Sequence, residues 1–312
     1  MNIILFGAAG FIGKNLIIRL VQNKNSKFTL VDKSKRFFSD IMNYLPPNTV
    51  IKEEEFSEKL EFDRLLEGQD VVYHLVSTTV PTTSNQHIVQ ELKVNVLATV
   101  NLLEACNRCG VKKVIFFSSG GTVYGKNAIC PIKEETPSYP ISSYGLQKVS
   151  IEKLLYLYGY MYNLDYRIIR LSNPYGPYQR PNGIQGAVTT FTYRALKNEK
   201  IVVYGDGSVV RDFIYIEDAI KAILNIVNVE SEHRIFNIGC GYGTSIKEVL
   251  ETIRCVLGKE LDILYMSQRK VDVPENYLDI SRYENCYGRL NATSLQDGIQ
   301  LTVEFLKQEF NI

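Results

Sequence analysis

A glycine-spaced turn, Gly7-Ala8-Ala9-Gly10-Phe11-Ile12-Gly13, constrains this chain more than any other feature. It follows a short apolar run, residues 2–6, and leads into a stretch with helical spacing, residues 11–22. Glycines let the backbone come close to a pyrophosphate, and the helix start supplies unpaired N–H groups at the positive end of its dipole. Asp32 ends the second apolar run, 19 residues after Gly13. That is close to the roughly 20 at which a carboxylate grips the adenosine ribose of a bound dinucleotide. The same carboxylate repels a 2′-phosphate, so NAD is expected over NADP. Lys33, Lys35 and Arg36 follow and read as a solvated basic turn, with a grip on that phosphate as the alternative. Gly7, Gly10, Phe11, Ile12, Gly13, Asp32 and Lys33 are the expected cofactor contacts.

Further apolar runs at residues 28–31, 71–75, 114–117 and 166–171 are continuous rather than alternating, as in strands buried on both faces. Helical segments at 88–108 and 143–161 lie between them. The alternation predicts an α/β fold, a Rossmann-type doubly wound parallel sheet. After Asn173 the pattern loosens into NPYGPYQRPNGIQG, too irregular for a core element. The expected organisation is a dinucleotide-binding domain over 1–172, with 212–240 returning to the sheet. Residues 173–211 and 241–312 form a smaller α/β substrate lobe.

At 312 residues and 45% hydrophobic content, the chain can build this core without metals or crosslinks. Its 35 basic and 34 acidic residues leave a net charge of +1 and no whole-chain argument for nucleic acid or a membrane surface. No run approaches the roughly 18 apolar residues of a membrane span. The N-terminus lacks the basic leader of a signal peptide, and a cytoplasmic protein is expected. The six cysteines are scattered, and the one CxxC, Cys106 and Cys109, has no second pair and no histidine nearby. Reduced structural thiols are expected, and no metal site.

The chemistry centres on Tyr144-Gly145-Leu146-Gln147-Lys148. Two residues four apart on a helix share a face. A lysine ammonium beside a phenol stabilises phenolate and lowers the tyrosine pKa, which makes Tyr144 a usable acid and base for a substrate hydroxyl. Ser118-Ser119 precede it at the end of a strand. GAAGFIG, VVYHL, SSGGTVYG, YGLQK, SNPYGP, YGDGSVVRDF and RKVDVP follow one another along nearly the whole chain. With these motifs the chain resembles the extended short-chain dehydrogenases/reductases of the nucleotide-sugar epimerase/dehydratase group, and UDP-hexose 4-epimerases most.

The resemblance implies that Lys148 also contacts the nicotinamide ribose, and that Leu75, Ser77, Asn95 and Ser118 line the cofactor. Glu55 and Phe56 stand where the family has Asp and an aliphatic residue against adenine. On the substrate side it implies Asn173, Gln185, Tyr204 against the base, Arg211 on the diphosphate, and Arg269 with Asp272 gripping the nucleotide. UDP is expected, with dTDP open. Relatives carry a catalytic Ser or Thr four residues before the tyrosine of VYG, where this chain has Gly120. Counting back 25 from Tyr144 gives Ser119, a spacing found in epimerase relatives, so Ser119 is the expected partner hydroxyl and Thr122 the reserve.

The loop also separates reactions. Relatives that eliminate water place a carboxylate just after the catalytic Thr, and 3,5-epimerase relatives use a cysteine there. Gly120-Gly121-Thr122 supplies neither. A C4 epimerase of a UDP-hexose or UDP-N-acetylhexosamine is therefore expected, acting through a transient 4-keto sugar. An NAD(P)H-dependent 4-ketosugar reductase is the alternative, and a non-catalytic dinucleotide sensor a more distant one. By the same resemblance the two long helices form a homodimer interface, and Asn276, four residues after Asp272, borders the sugar 2-substituent. Tyrosine there restricts relatives to plain hexoses, whereas asparagine leaves room for an acetamido group. The competing reading of Asn276 is a turn residue facing water.

Overall fold

The computed structural model describes residues 1–79, 84–181, 186–267 and 273–312. The apolar runs of the first half become strands β1 (Asn2–Phe6), β2 (Lys27–Asp32), β4 (Val71–His74), β5 (Lys113–Ser119) and β6 (Asp165–Leu171). Two more strands, β3 (Val50–Glu53) and β11 (Ile235–Ile238), complete a seven-stranded parallel sheet in the order β11-β6-β5-β4-β1-β2-β3. Leu5 of β1 lies between Leu30 of β2 and Tyr73 of β4. The chain runs outward to one edge through β2 and β3, then returns to β4 on the other side of β1. That reversal makes the β1/β4 junction the switch point at which open α/β sheets bind ligands. β3 forms one edge and exposes Val50, Lys52 and Glu53.

Helices cover the faces. They are α1 (Phe11–Leu20), α2 (Phe62–Leu66), α3 (Ile88–Glu91), α4 (Ala98–Arg108) and α5 (Ser143–Tyr162). The stretch read as one helix over 88–108 is continuous, but Leu92–Leu97 between α3 and α4 is π-helical. Ile4, Phe6, Val72 and Phe116 from the sheet pack with Leu102, Leu103 and Cys106 of α4 and with Ile151 and Leu155 of α5. α5 ends where Asn163 turns left-handed at φ +55°, a conformation asparagine tolerates better than most residues.

The chain divides into two compact units. One comprises Met1–Val123, Pro140–Ile169 and Val229–Ile235, the other Tyr124–Tyr139, Arg170–Asn228 and Phe236–Ile312. The second unit contains β7 (Asn173–Tyr175), α6 (Ala187–Leu196), β8 (Ile201–Tyr204), β9 (Val210–Arg211), β10 (Phe213–Tyr215) and α7 (Ile216–Asn228). It continues with β12 (Thr244–Ser245), α8 (Ile246–Leu257), β13 (Ile263–Met266), β14 (Glu275–Asn276), α9 (Ser281–Tyr287) and α10 (Leu295–Phe310). Small sheets organise it: β7 with β10, β8 with β13, and β9 between β12 and β14.

The return to the main sheet expected from residue 212 onward is narrower than the sequence suggests. β11 alone enters that sheet from this stretch, while β10 pairs in parallel with β7. Residues 216–228 are helical because Ile216, Ala219, Ile220, Ile223 and Val227 repeat at helical spacing on one buried face. Glu217 and Asp218 sit in the first turn, where negative charge suits the helix dipole.

Candidate active site

The glycine turn lies between β1 and α1. Gly7 has φ +79°, and a Cβ on it would come within 3.1 Å of the Val76 amide nitrogen, which crosses directly above. A Cβ on Gly13 would lie 2.4 Å from the Ala8 carbonyl oxygen and 2.7 Å from that of Gly7. Only glycine lets the first turn of α1 pack this closely against the strand end. Gly10, as the residue before the helix, offers no side-chain cap, and the first turn holds no acidic residue. The N–H groups of Phe11, Ile12 and Gly13 therefore point out of the helix start without an intrahelical acceptor, the arrangement that takes a diphosphate. Asp32 closes the turn from β2, its Oδ2 accepting from the Ala9 N–H at 2.9 Å and its Oδ1 from the Lys33 N–H at 2.9 Å. The Lys33 ammonium sits 5.9 Å from the centre of the Phe37 ring. These residues fit a dinucleotide.

The other expected cofactor residues fall into two groups. Leu75, half-buried, and Ser77, exposed, follow β4, with the Leu75 N–H donating to the Phe6 carbonyl at 3.0 Å. Glu55 is exposed, but Phe56 turns into the core, edge-on to Phe6 and Phe62 and stacked on His74 at 4.9 Å. Asn95 is buried in the π-helical segment; its Oδ1 accepts from the Thr78 N–H at 3.2 Å and its Nδ2 donates to Gln147 Oε1 at 2.7 Å. Ser118 Oγ donates to the buried Glu152 at 2.5 Å.

Tyr144 and Lys148 lie one turn apart near the start of α5. The half-buried phenol has the Ser119 side chain beside it. Burial pushes the phenol up to about 12, and the Ser119 side chain opposes that shift. Lys148 is 5% exposed, donates to the Phe117 carbonyl at 2.7 Å, and lies over the Phe116 and Tyr144 rings at 4.8 and 5.6 Å. Burial holds its ammonium down at about 8, and Glu152 opposes that shift. This corrects one expectation from the sequence: the neighbouring lysine does not bring the phenol into the working range. Desolvation of the buried phenol sets the direction, and Ser119 is the group that opposes it. Thr122 Oγ1 is buried and has no partner among the described residues, and Gly145 brings the first turn of α5 against the Thr122 carbonyl.

In the second unit, Arg211 donates through Nη1 to the Val210 and Val273 carbonyls at 2.8 and 2.7 Å. Neighbouring Asp212 is fully buried and accepts from the backbone N–H groups of Cys240 and Leu278. Its backbone carbonyl accepts from both the N–H and the Nδ2 of Asn173 at 3.0 Å. Tyr204, at the end of β8, is exposed. Asn276 pairs with Arg211 in register between β14 and β9. It is 2% exposed and its Oδ1 has no partner among the described residues, so the water-facing reading does not hold. Gln185, Arg269 and Asp272 lie outside the described residues. Sequence reasoning missed Asp212, Glu152, Glu91 and Gln147, although Gln147 stood inside the YGLQK motif, next to the lysine.

A switch-point glycine cradle on a parallel sheet, followed by a Tyr–Lys pair on a helix beside a serine, defines a Rossmann-type protein of the short-chain dehydrogenase/reductase class. Residues 3–239 match the model of the NAD dependent epimerase/dehydratase family. The chain belongs to that family, and NAD is its cofactor. It is 32% identical to a UDP-glucose 4-epimerase of Mycolicibacterium smegmatis, over 99% of both chains. Among solved structures it resembles UDP-glucose 4-epimerase of Thermotoga maritima with UDP-glucose, at 33% identity and TM-score 0.91, covering 99% of this chain and 100% of that one. It also resembles UDP-N-acetylglucosamine 4-epimerase of Methanobrevibacter ruminantium M1, in complex with UDP-N-acetylmuramic acid, at 29% identity and TM-score 0.90, covering 99% and 98%.

Proposed function

We propose that this protein is a cytoplasmic, homodimeric UDP-sugar 4-epimerase. The observation that carries the reading is the Tyr144 phenol with the Lys148 ammonium 5.6 Å from its ring and Ser119 beside it, in a loop whose Gly120-Gly121-Thr122 offers no carboxylate. Such a site can move one hydroxyl proton but has no second acid or base with which to eliminate water. NAD, when bound, supplies a hydride acceptor and donor. Tyr144 takes the proton of the sugar 4-hydroxyl and later returns it, Ser119 orients the oxygen, and Lys148 keeps positive charge beside the phenol. Thr122 offers its unpartnered hydroxyl to the same sugar.

Asn173, Gln185, Tyr204, Arg211, Arg269 and Asp272 hold the nucleotide and its diphosphate in this reading. The buried, unpartnered amide oxygen of Asn276 supports an acetamido-bearing sugar as a substrate, because that group brings the N–H donor the oxygen lacks. The 4-epimerases of UDP-glucose and UDP-N-acetylglucosamine among the relatives fit either hexose.

The test is incubation of the purified protein, without added cofactor, with UDP-glucose, UDP-galactose and their N-acetylamino forms, and chromatographic resolution of the products. Interconversion of C4 epimers is expected. A preparation inactive with all four, but consuming NADPH with a nucleotide 4-ketosugar, would replace this reading with the reductase.

A further inference from the structure

Glu91, at the end of α3, is 7% exposed and has no part in the chemistry above. Its Oε2 accepts from Ser143 Oγ at 2.8 Å and from Gln147 Nε2 at 3.1 Å. Gln147 Nε2 also donates to Ser143 Oγ at 2.9 Å. Gln147 Oε1 accepts from Asn95, whose own oxygen holds the N–H and hydroxyl of Thr78 at 3.2 and 3.1 Å. Ser143 and Gln147 immediately precede Tyr144 and Lys148, one position back on the same two turns of α5.

The backbone at this helix start is fixed from the same side. The N–H groups of Ser143, Tyr144 and Gly145 donate to Asn85 Oδ1, Ser84 Oγ and Ser142 Oγ at 2.8, 3.1 and 3.1 Å. The Leu146 N–H goes to the Ser142 carbonyl. The open N–H groups of the first three helical residues are thus all claimed by side chains, and the Leu146 bond is the first within the helix. Apolar side chains would fill the same space without the cost of burying a carboxyl and two amides. What the polar groups add is direction, because each bond sets the rotation of α5 about its own axis. That rotation sets where the Tyr144 hydroxyl lies relative to Ser119.

We propose that Glu91 is a positioning residue for the Tyr144–Lys148 pair, acting through Ser143 and Gln147 and, by way of Asn95, on the Thr78 segment after β4. The proposal rests on Tyr144 being the proton carrier. Its test compares Glu91→Ala with Glu91→Gln. In Glu91→Ala the kcat should fall about 10- to 100-fold, since a misplacement of about 1 Å costs about that much, while KM stays within about twofold. Hydrogen exchange at residues 143–148 of the protein without substrate should speed up. Glu91→Gln should recover kcat to within about threefold, because its amide oxygen can accept both bonds.

Wild-type kcat in Glu91→Ala, a Gln variant as slow as the Ala variant, or a rise in KM matching the fall in kcat would overturn the proposal. Should Glu91→Ala not fold, Ser143→Ala removes the two bonds of the Ser143 hydroxyl and leaves Glu91 paired with Gln147; an unchanged kcat there would overturn it equally. The exchange measurement needs no turnover. If no UDP-sugar reacts, it still decides the network, and unaltered exchange at 143–148 would count against it.

Discussion

At the scale of single residues, the phenol of Tyr144 is pushed up to about 12 because burial outweighs the opposing Ser119 side chain. The group is therefore protonated at neutral pH even beside the Lys148 ammonium, until the further positive charge of oxidised NAD joins it. Phenolate absorbance assigned by difference from Tyr144→Phe should appear at lower pH in protein loaded with oxidised NAD than in stripped protein. The same variant should retain NAD but lose about 10²–10⁴-fold in turnover, the usual share of an acid–base group. A loss below about tenfold would remove Tyr144 from its assigned role. Asn276→Tyr should lower turnover of N-acetylated sugars selectively, measured against the plain hexoses under identical conditions. The Tyr–Lys pair was legible because residues four apart must share a helical face. The direction of the phenol's shift was not, because desolvation depends on which distant segments close over the ring.

Among elements, the turn after β1 was legible for the opposite reason: its geometry is local. Gly13→Ala places a methyl group 2.4 Å from the Ala8 carbonyl, a contact that real Cβ atoms do not make, so α1 must shift outward. Purified Gly13→Ala should carry much less NAD per chain than wild type, read from absorbance after denaturation, and should bind added NAD at least about tenfold more weakly. The buried strands β1, β4 and β5 showed as unbroken apolar runs. β3 did not, since Ile51 alone of its four residues is even half-buried. The π-helical turn at Leu92–Leu97 left no compositional trace either, because one widened turn changes the register of a few side chains and not their kinds. Asn95 lies inside it, so its place in the network under α5 could be found only in three dimensions.

For the whole molecule, α5 leaves Leu146, Tyr156, Leu157, Tyr160 and Met161 exposed, Tyr160 by 82%. A two-fold dimer that covers this helix is expected at micromolar concentration, and sedimentation should show it. Leu157→Glu combined with Tyr160→Glu should give monomers. Acid stability follows from His74, whose imidazole burial pushes down to about 3, with Lys148 adding to the shift. An unfolded chain takes that proton near 6.5. The stabilisation is therefore complete above pH 6.5 and is lost as pH falls, by about 2 kcal/mol at pH 5. Asp212 works in the other sense: burial raises it to about 6, so its contribution is present at low pH and lost as pH rises through that value. His74→Gln isolates the first effect, and its urea midpoint should fall less between pH 6.5 and pH 5 than that of wild type. The outer edge of the sheet has a consequence for behaviour at high concentration. β3 runs into Lys52-Glu53-Glu54-Glu55, and a second molecule adding a strand there would have to set its own charged run against this one and bury both. The edge therefore refuses to template fibrils, and solutions of the protein should stay clear of strand-added aggregates at this edge.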